Sequence, residues 1–582
     1  MKRTNLTAVL IVGLLIAALA PAAGAKPPPG SPAEKNAQTT EIQILGLNDF
    51  HGQLEPVPST SSGGRIGNTA AGGVEYLATH VRQLRATNPN TLFVSAGDLI
   101  GATPLLSALF HDEPTIEAFN MMDLDYNGVG NHEFDEGVDE LLRMQYGSQL
   151  GGNGCHPIDG CRDGDGFGGA TFDFLAANVK YKSTGETIFA PYKIHEFPGV
   201  DVAIIGMTLE GTPSIVSPSG ISHVNFLDEV ETVNALVPHL KAQGVETIIV
   251  LLHEGGTVSA AGNGAGAGGE TNMNLCLNPT GAIPPIVNAM DDEVDVVVTG
   301  HTNWAINCVI DGKIVTGAAA TGRLVTDIDL TLSRATKDVI AAKVENKIVT
   351  QTLNGQPVAK AADMTALLAK YNAVAAPFAN RPIGKITAAI TRTANTAGES
   401  ALGDRIADAQ NFDAQQAGTG SQIAFMNAGG IRADLTYLSS PAGEGDGVVT
   451  YGEAFAVQPF GNSLVTMTLT GGQIDALLER QFTGGNGILQ VSEGFAYTRS
   501  ASAPNDAKVS NITLNGIPID PLASYRVTVN SFLADGGDNY GILTSGTNRV
   551  PGNVDTDAFE NYLQANPLGI TPGPQNRITL VP

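Results

Sequence analysis

Five short apolar runs, each closed by Asp, His or Asn, constrain this chain more than any other feature. Residues 42–47 lead into Asp49-Phe-His51, 92–96 into Gly97-Asp98, and 126–129 into Gly130-Asn131-His132-Glu133. Residues 248–252 lead into His253, and 294–298 into Gly300-His301-Thr-Asn303. Runs of this length alternating with helical patterns predict an α/β layer with largely buried strands. In open α/β sheets ligands gather beyond the carboxyl ends of the strands, so five such ends can converge on one site. A strand's period of two puts Asp49 and His51 on one side. Alone, a D-x-H, a Gly-Asp or a His after a strand is more often a turn or a satisfied buried residue than a ligand. Recurrence at five strand ends is what carries the signal.

Carboxylate, amide and imidazole donors without thiolate suit Zn, Mn, Fe or Co rather than copper(I) or iron–sulfur clusters. Two such ions clamp a phosphate and lower the pKa of a shared water, supplying a nucleophile at neutral pH. His80, His111, His156, His195, His223 and His239 lack a strand-end setting and read as structural or surface residues.

With 582 residues the chain exceeds one ordinary core. Residues 1–25 read as an export signal: Lys2 and Arg3, an apolar run over 8–20, then Ala23-Gly24-Ala25. The run is shorter than the ~20 residues that span a bilayer, and no later stretch is long and apolar enough to do so. Residues 26–40 read as a flexible leader, 41–354 as a first domain, 355–382 as a linker helix and 383–582 as a second α/β domain. Met364, Leu367, Leu368 and Tyr371 follow helical spacing, and the linker helix is expected to stop before Pro377. Residues 260–270 form a Gly/Ala-rich loop. Asp163-Gly-Asp165 reads as a polar turn, since it lacks the later ligands of a calcium-binding EF-hand loop.

Four cysteines in an exported chain favour disulfides over metal thiolates. Three connectivities are open; local pairing, Cys155 with Cys161 and Cys276 with Cys308, is expected because each pair flanks a Gly- or Asn-rich loop. A structural zinc site is the lesser alternative, because no C-x-x-C pair occurs. A net charge of −26, from 32 Lys+Arg against 58 Asp+Glu, lacks the broad basic face that coats DNA or RNA, so no nucleic acid polymer is expected as a partner.

In the second domain, Asn427-Ala-Gly-Gly430-Ile-Arg432 follows an apolar run; its glycines let backbone approach a ligand, and Arg432 can fork onto phosphate or carboxylate. Gln458-Pro-Phe460-Gly-Asn462 and Phe532-Leu-Ala-Asp-Gly-Gly-Asp538 add two aromatic faces, each worth ~1–3 kcal/mol when a base stacks on it.

The order D-x-H, G-D, G-N-H-E, H, G-H-x-x resembles the calcineurin-like metallophosphoesterases, and the chain after its leader is similar to the bacterial exported 5'-nucleotidase/UDP-sugar hydrolase family. The resemblance implies a metallophosphatase-type β-sandwich flanked by helices, a linker helix and an α/β nucleotide-recognition domain. It implies two divalent ions, one held by Asp49, His51, Asp98 and Asn303, the other by Asp98, Asn131, His253 and His301. Asn303 stands where bacterial members commonly have Gln, a longer arm. It implies a His132–Asp135 catalytic dyad, a base clamp of Phe460 and Phe532, and Asn427, Gly430, Arg432 and Asp538 as further substrate contacts. The family's Arg before its Glu-x-x-x-Gly segment is Gly398 here; Arg392 and Arg405 are candidate replacements for phosphate binding, with surface ion pairing as the alternative. The expected activity is release of phosphate from nucleoside 5'-monophosphates by in-line attack of hydroxide held at the metals, with domain closure about the linker helix. UDP-sugars, other nucleoside polyphosphates or 2',3'-cyclic nucleotides are alternative substrates; a non-catalytic secreted nucleotide-binding protein is the alternative outside the enzymes.

Overall fold

The apolar runs become the centre of a two-sheet sandwich in the computed structural model, which describes residues 38–57, 66, 69–157, 160–258, 272–438, 443–485 and 487–582. The export signal, most of the leader and all of the 260–270 loop lie outside the described residues. One sheet has the order β12-β11-β1-β2-β3-β4, with β1 Thr39–Leu47, β2 Thr91–Ser95, β3 Tyr126–Gly128, β4 Asp173–Leu175, β11 Leu324–Ser333 and β12 Val339–Ile348. The other runs β9-β10-β8-β7-β6-β5, with β5 Tyr192–Phe197, β6 Val200–Thr208, β7 Thr247–His253, β8 Val294–Thr299, β9 Ala305–Ile310 and β10 Lys313–Ala318.

Ile44, Val94, Ile204, Leu251, Val296 and Ile328 bury the inner faces against each other. Helices cover the outer faces: α1 (Val74–Arg85) packs Val74, Leu77 and Val81 on the first sheet, and α2 (Glu229–Ala242) packs Val233, Val237 and Leu240 on the second. With both faces of each strand covered, apolar runs replace strict alternation. β1, β2 and β3 are parallel, as are β6, β7 and β8. The carboxyl ends in each group therefore reach one edge of their sheet.

The linker is α3, Ala362–Ala379, and it buries Met364, Leu367, Leu368, Tyr371 and Ala375 in the first domain's core. It passes through Pro377 rather than stopping before it. Only the last turn follows, so the lost amide and the ring affect a helix end where fraying is cheap. Asp163 and Asp165 are indeed in a turn, both paired with Lys370 of α3, at 2.7 and 3.0 Å.

The second domain is built on a five-stranded sheet, β15-β13-β16-β14-β17, from β13 Ile423–Met426, β14 Ser463–Thr470, β15 Gln490–Val491, β16 Ser524–Asn530 and β17 Thr547–Val554. Helix α4 (Ala401–Gln416) packs Leu402, Ile406 and Ala407 against it. Both expected local disulfides form, Cys155–Cys161 and Cys276–Cys308. Among the described residues no helix is long and apolar enough to cross a membrane.

Candidate active site

Asp49 and His51 follow β1, Asp98 follows β2, Asn131 follows β3, His253 ends β7 and His301 follows β8, and the sandwich brings these ends together. Ligand atoms of Asp98, His253 and His301 lie within 4.8 Å of one another, as do those of His51, Asp98 and His132. Asp98 is common to both groups. Three turns can meet here because they carry glycine. A Cβ on Gly130 would fall 2.2 Å from Asp98 Oδ1, and one on Gly97 (φ +90°) 2.7 Å from His253 Nδ1.

Asp49, His51, Asp98, His301 and Asn303 all have positive φ, between 49° and 67°. For residues with a Cβ this conformation costs of order 1–3 kcal/mol each and survives only where the surroundings dictate it. Five of the seven expected ligands adopt it, so these turns are shaped for something other than chain reversal.

Two histidines are oriented alike. His253 Nδ1 donates to the Ala96 carbonyl at 2.7 Å, and His51 Nδ1 donates to that of Gly101 at 3.0 Å. Each ring therefore turns Nε2 inward: His253 Nε2 lies 3.1 Å from Asp98 Oδ2 and 3.1 Å from Asn131 Oδ1, and His51 Nε2 3.8 Å from Asp98 Oδ2. A neutral imidazole's inward nitrogen bears a lone pair, as do both oxygens. Such a convergence of acceptors is repulsive unless a cation sits among them, and carbonyl-oriented imidazoles around a carboxylate are how proteins prepare a metal.

Charge behaves accordingly. Burial raises Asp49 to about 7 and lowers His51 to about 3 and His301 to about 4. Burial would lower His253 too, but the Asp98 carboxylate carries it up to about 10. Asp98 is pushed up by burial, yet the charges of His253 and His132 outweigh this and hold it below the ordinary carboxylate range. A proton on His253 thus satisfies the cluster electrically, and divalent ions would satisfy it more fully. The donor set fits the two ions expected.

Asn303 is exposed, and among the described residues no hydrogen bond joins it to the cluster. Residues that sequence reasoning left without a role complete the centre. Buried Glu133 accepts from the backbone N–H groups of Asp98 (2.9 Å), Leu99 (2.8 Å) and Gly130 (2.7 Å), tying two ligand turns together. The Asn48 amide donates to the Asp49 carboxylate, which also accepts from the His301 backbone N–H at 3.0 Å. Glu133 was visible in the G-N-H-E string, but two of its three partners lie on another turn.

A cavity of about 220 Å³ joins this centre to the second domain. Asn131, His132, Asp135 and His301 line one side, and Asn427, Gly430, Arg432, Phe460, Phe532 and Asp538 the other. His132 Nδ1 bonds Asp135 Oδ2 at 2.8 Å, leaving Nε2 for the cavity. Burial lowers the His132 pKa, but Asp135 and Asp98 outweigh it and raise it above its ordinary value. The His132 and Phe460 rings lie near-parallel with centroids 6.0 Å apart, and the Arg432 guanidinium sits 5.8 Å from the centre of the same Phe460 ring. Asn427 donates to Asp538 at 2.9 Å and accepts from Asn530 at 3.0 Å. Asn462, the last residue of the Gln458–Asn462 loop, adds a wall, as does the Ile215-Val216-Ser217 segment, which no motif announces.

The two candidate phosphate arginines part company. Arg392 bonds the Ile431 carbonyl at 3.1 Å, close enough to Arg432 for their charges to interact. Neither arginine lines the cavity itself, and Arg405 is spent on Asp408 and on the carbonyls of Thr571 and Pro572, the ion-pair alternative.

Residues 42–304 match the calcineurin-like phosphoesterase family, and residues 382–545 match the 5'-nucleotidase C-terminal domain. A cell wall protein, Lmo0130, of Listeria monocytogenes is 32% identical over 96% of this chain and 70% of its own length. The chain belongs to the 5'-nucleotidase family of metallophosphoesterases. Endonuclease YhcR of Bacillus subtilis is 31% identical over 93% of this chain, which spans 41% of that relative's length. Among solved structures, a 5'-nucleotidase precursor from Thermus thermophilus superimposes with a TM-score of 0.72 at 26% identity, over 93% of this chain and 99% of its own. Family membership makes the chain a hydrolase of the metal-dependent phosphoesterase type.

Proposed function

We propose that the chain is an exported, divalent-metal-dependent 5'-nucleotidase. The single observation that carries this reading is the shared cavity, which faces the acidic and imidazole cluster on one side and two aromatic rings with an arginine on the other. Export is supported by the N-terminal signal pattern, the two disulfides and the relative named as a cell wall protein.

Asp49, His51 and Asp98, with Asn303 as the fourth expected donor, would hold one metal; Asp98, Asn131, His253 and His301 would hold the other. Bound there, divalent ions neutralise phosphate charge and lower the pKa of a water. The chain's own residues do the rest. Phe460 and Phe532 take the base, and Asn427 and Asp538 bond the nucleoside. Gly430 leaves room beside them, and Arg432, supported by Arg392, forks onto phosphate oxygens. His132, oriented by Asp135, presents Nε2 to the oxygen on which negative charge develops and donates a hydrogen bond there. Its raised pKa favours the protonated form.

Substrate choice is tested by comparing turnover, read by chromatography of the products under matched Zn, Mn or Co, of AMP, UDP-glucose, 2',3'-cyclic AMP and a single-stranded oligonucleotide. The oligonucleotide belongs in the set because a relative is named an endonuclease. AMP is expected to turn over fastest. Faster cleavage of the oligonucleotide, or of none of the four, would overturn the reading.

A further inference from the structure

Outside the cavity, the described residues contain another histidine-bearing cluster. His111, Glu136 and His156 each offer a ligand atom, all within 4.8 Å of one another. His111 Nδ1 lies 2.9 Å from Glu136 Oε2, and the two imidazoles stack with centroids 3.6 Å apart and planes 20° from parallel. None of the three lines the cavity. The sequence reads both histidines as structural or surface residues because neither has a strand-end setting.

The backbone holds them in place. His111 is in the left-handed region (φ +49°), followed by Asp112 in the same region (φ +62°). His156 sits inside the Cys155–Cys161 disulfide loop, which folds back so tightly that a Cβ on Gly160 would lie 2.1 Å from the His156 backbone nitrogen. Burial and the neighbouring His111 lower the His156 pKa, which keeps the ring in the neutral form a metal ligand needs.

We infer that His111, Glu136 and His156 form a further site for a zinc-type divalent cation, separate from the two expected in the cavity. Two imidazoles and one carboxylate, with a fourth position left to water, are a recurrent zinc donor set. Ligands around a tetrahedral zinc at about 2.0–2.2 Å lie about 3.3–3.6 Å apart, so a shared ion requires the two stacked rings to turn about their side-chain bonds until their in-plane lone pairs converge. The nearby Glu140 carboxylate is engaged by Arg143, which bonds both its oxygens. A cation here would clamp the disulfide loop to the catalytic turn, since Glu136 follows Asp135. It would also bear on the first ligand turn, because Asp112, next to His111, accepts from the Gly101 N–H, and the Gly101 carbonyl orients His51. The inference does not depend on which phosphoester is cleaved.

The test is zinc content of the full chain after dialysis against buffered zinc, measured by plasma mass spectrometry. Wild type should hold a third zinc per chain, and His111→Ala and His156→Ala should each hold two. Two per chain in the wild type, or three in both variants, would overturn the inference. A second measurement needs no variant. Zinc added to protein already holding two ions should slow carbethoxylation of His111 and His156 about tenfold, as mass action requires near ninefold excess over Kd. Peptide mass spectrometry reads each histidine separately, and modification of both at unchanged rate would contradict the site.

Discussion

His132 and Asp135 separate two kinds of contribution. His132→Ala removes the donor at the cavity and is expected to cost about 10²–10⁴-fold in kcat for AMP. Asp135→Asn keeps the shape but weakens the orientation of the ring, and about 10–100-fold is expected. Metal content should be unchanged in both, since neither is an expected ligand; loss of metal would place them in the wrong role. Glu133 is different in kind. Glu133→Ala strips three buried backbone donors of their acceptor, and at about 1–3 kcal/mol for each orphaned group it should lower Tm sharply as well as activity. An unchanged Tm would contradict the bracing role. The ligand residues were legible from sequence because chain order alone puts them at strand ends. The bracing role of Glu133 was not, because two of its partners, the Asp98 and Leu99 N–H groups, lie on another turn, and charge or spacing along the chain says nothing about which backbone N–H a carboxylate will meet.

At the scale of elements, the buried strands were legible as apolar runs, while the end of α3 was not. Pro377 reads as a stop in sequence, yet packing of Met364, Leu368 and Tyr371 fixes the helix so firmly that its final turn tolerates the ring. Strand β8 carries a titratable group of structural consequence. Asp295 accepts from the Ile248 backbone N–H at 2.9 Å, joining the starts of β8 and β7, and burial raises its pKa to about 7. The folded state therefore holds this proton over a range in which the unfolded chain, with a carboxyl pKa near 4, has lost it. Stability from this group is complete below about pH 4 and is lost as pH rises towards 7. Asp295→Asn, which keeps an acceptor and carries no charge, should flatten the fall in Tm between pH 4 and 7. An identical pH profile in wild type and variant would show that the carboxyl is not held protonated.

The whole molecule sets a metal-type centre in one domain against aromatic and polar loops of the other. Because α3 is packed into the first domain and Arg381 pairs with Glu560 of the second, the domain closure expected from sequence would have to turn the chain at Asn380, just past the helix rather than along it. The two-domain fold was legible from the order of its strings, and Phe460 and Phe532, which line the cavity, were legible because each sits in a continuous loop string. The cavity's Ile215-Val216-Ser217 wall and the pairing of Arg405 with Asp408 were decided by three-dimensional proximity that no local string encodes. The acidic surface implied by a net charge of −26 does not oppose an anionic substrate, since divalent ions and Arg432 make the local field positive. The central claim is that a nucleotide bound by the second domain is hydrolysed at the first domain's centre, and the most direct measurement is kcat/KM for AMP in the Phe460→Ala, Phe532→Ala double variant. At ~1–3 kcal/mol per stacked face the account predicts a loss of about 10²-fold or more with metal content unchanged, whereas wild-type kcat/KM in that variant would contradict it.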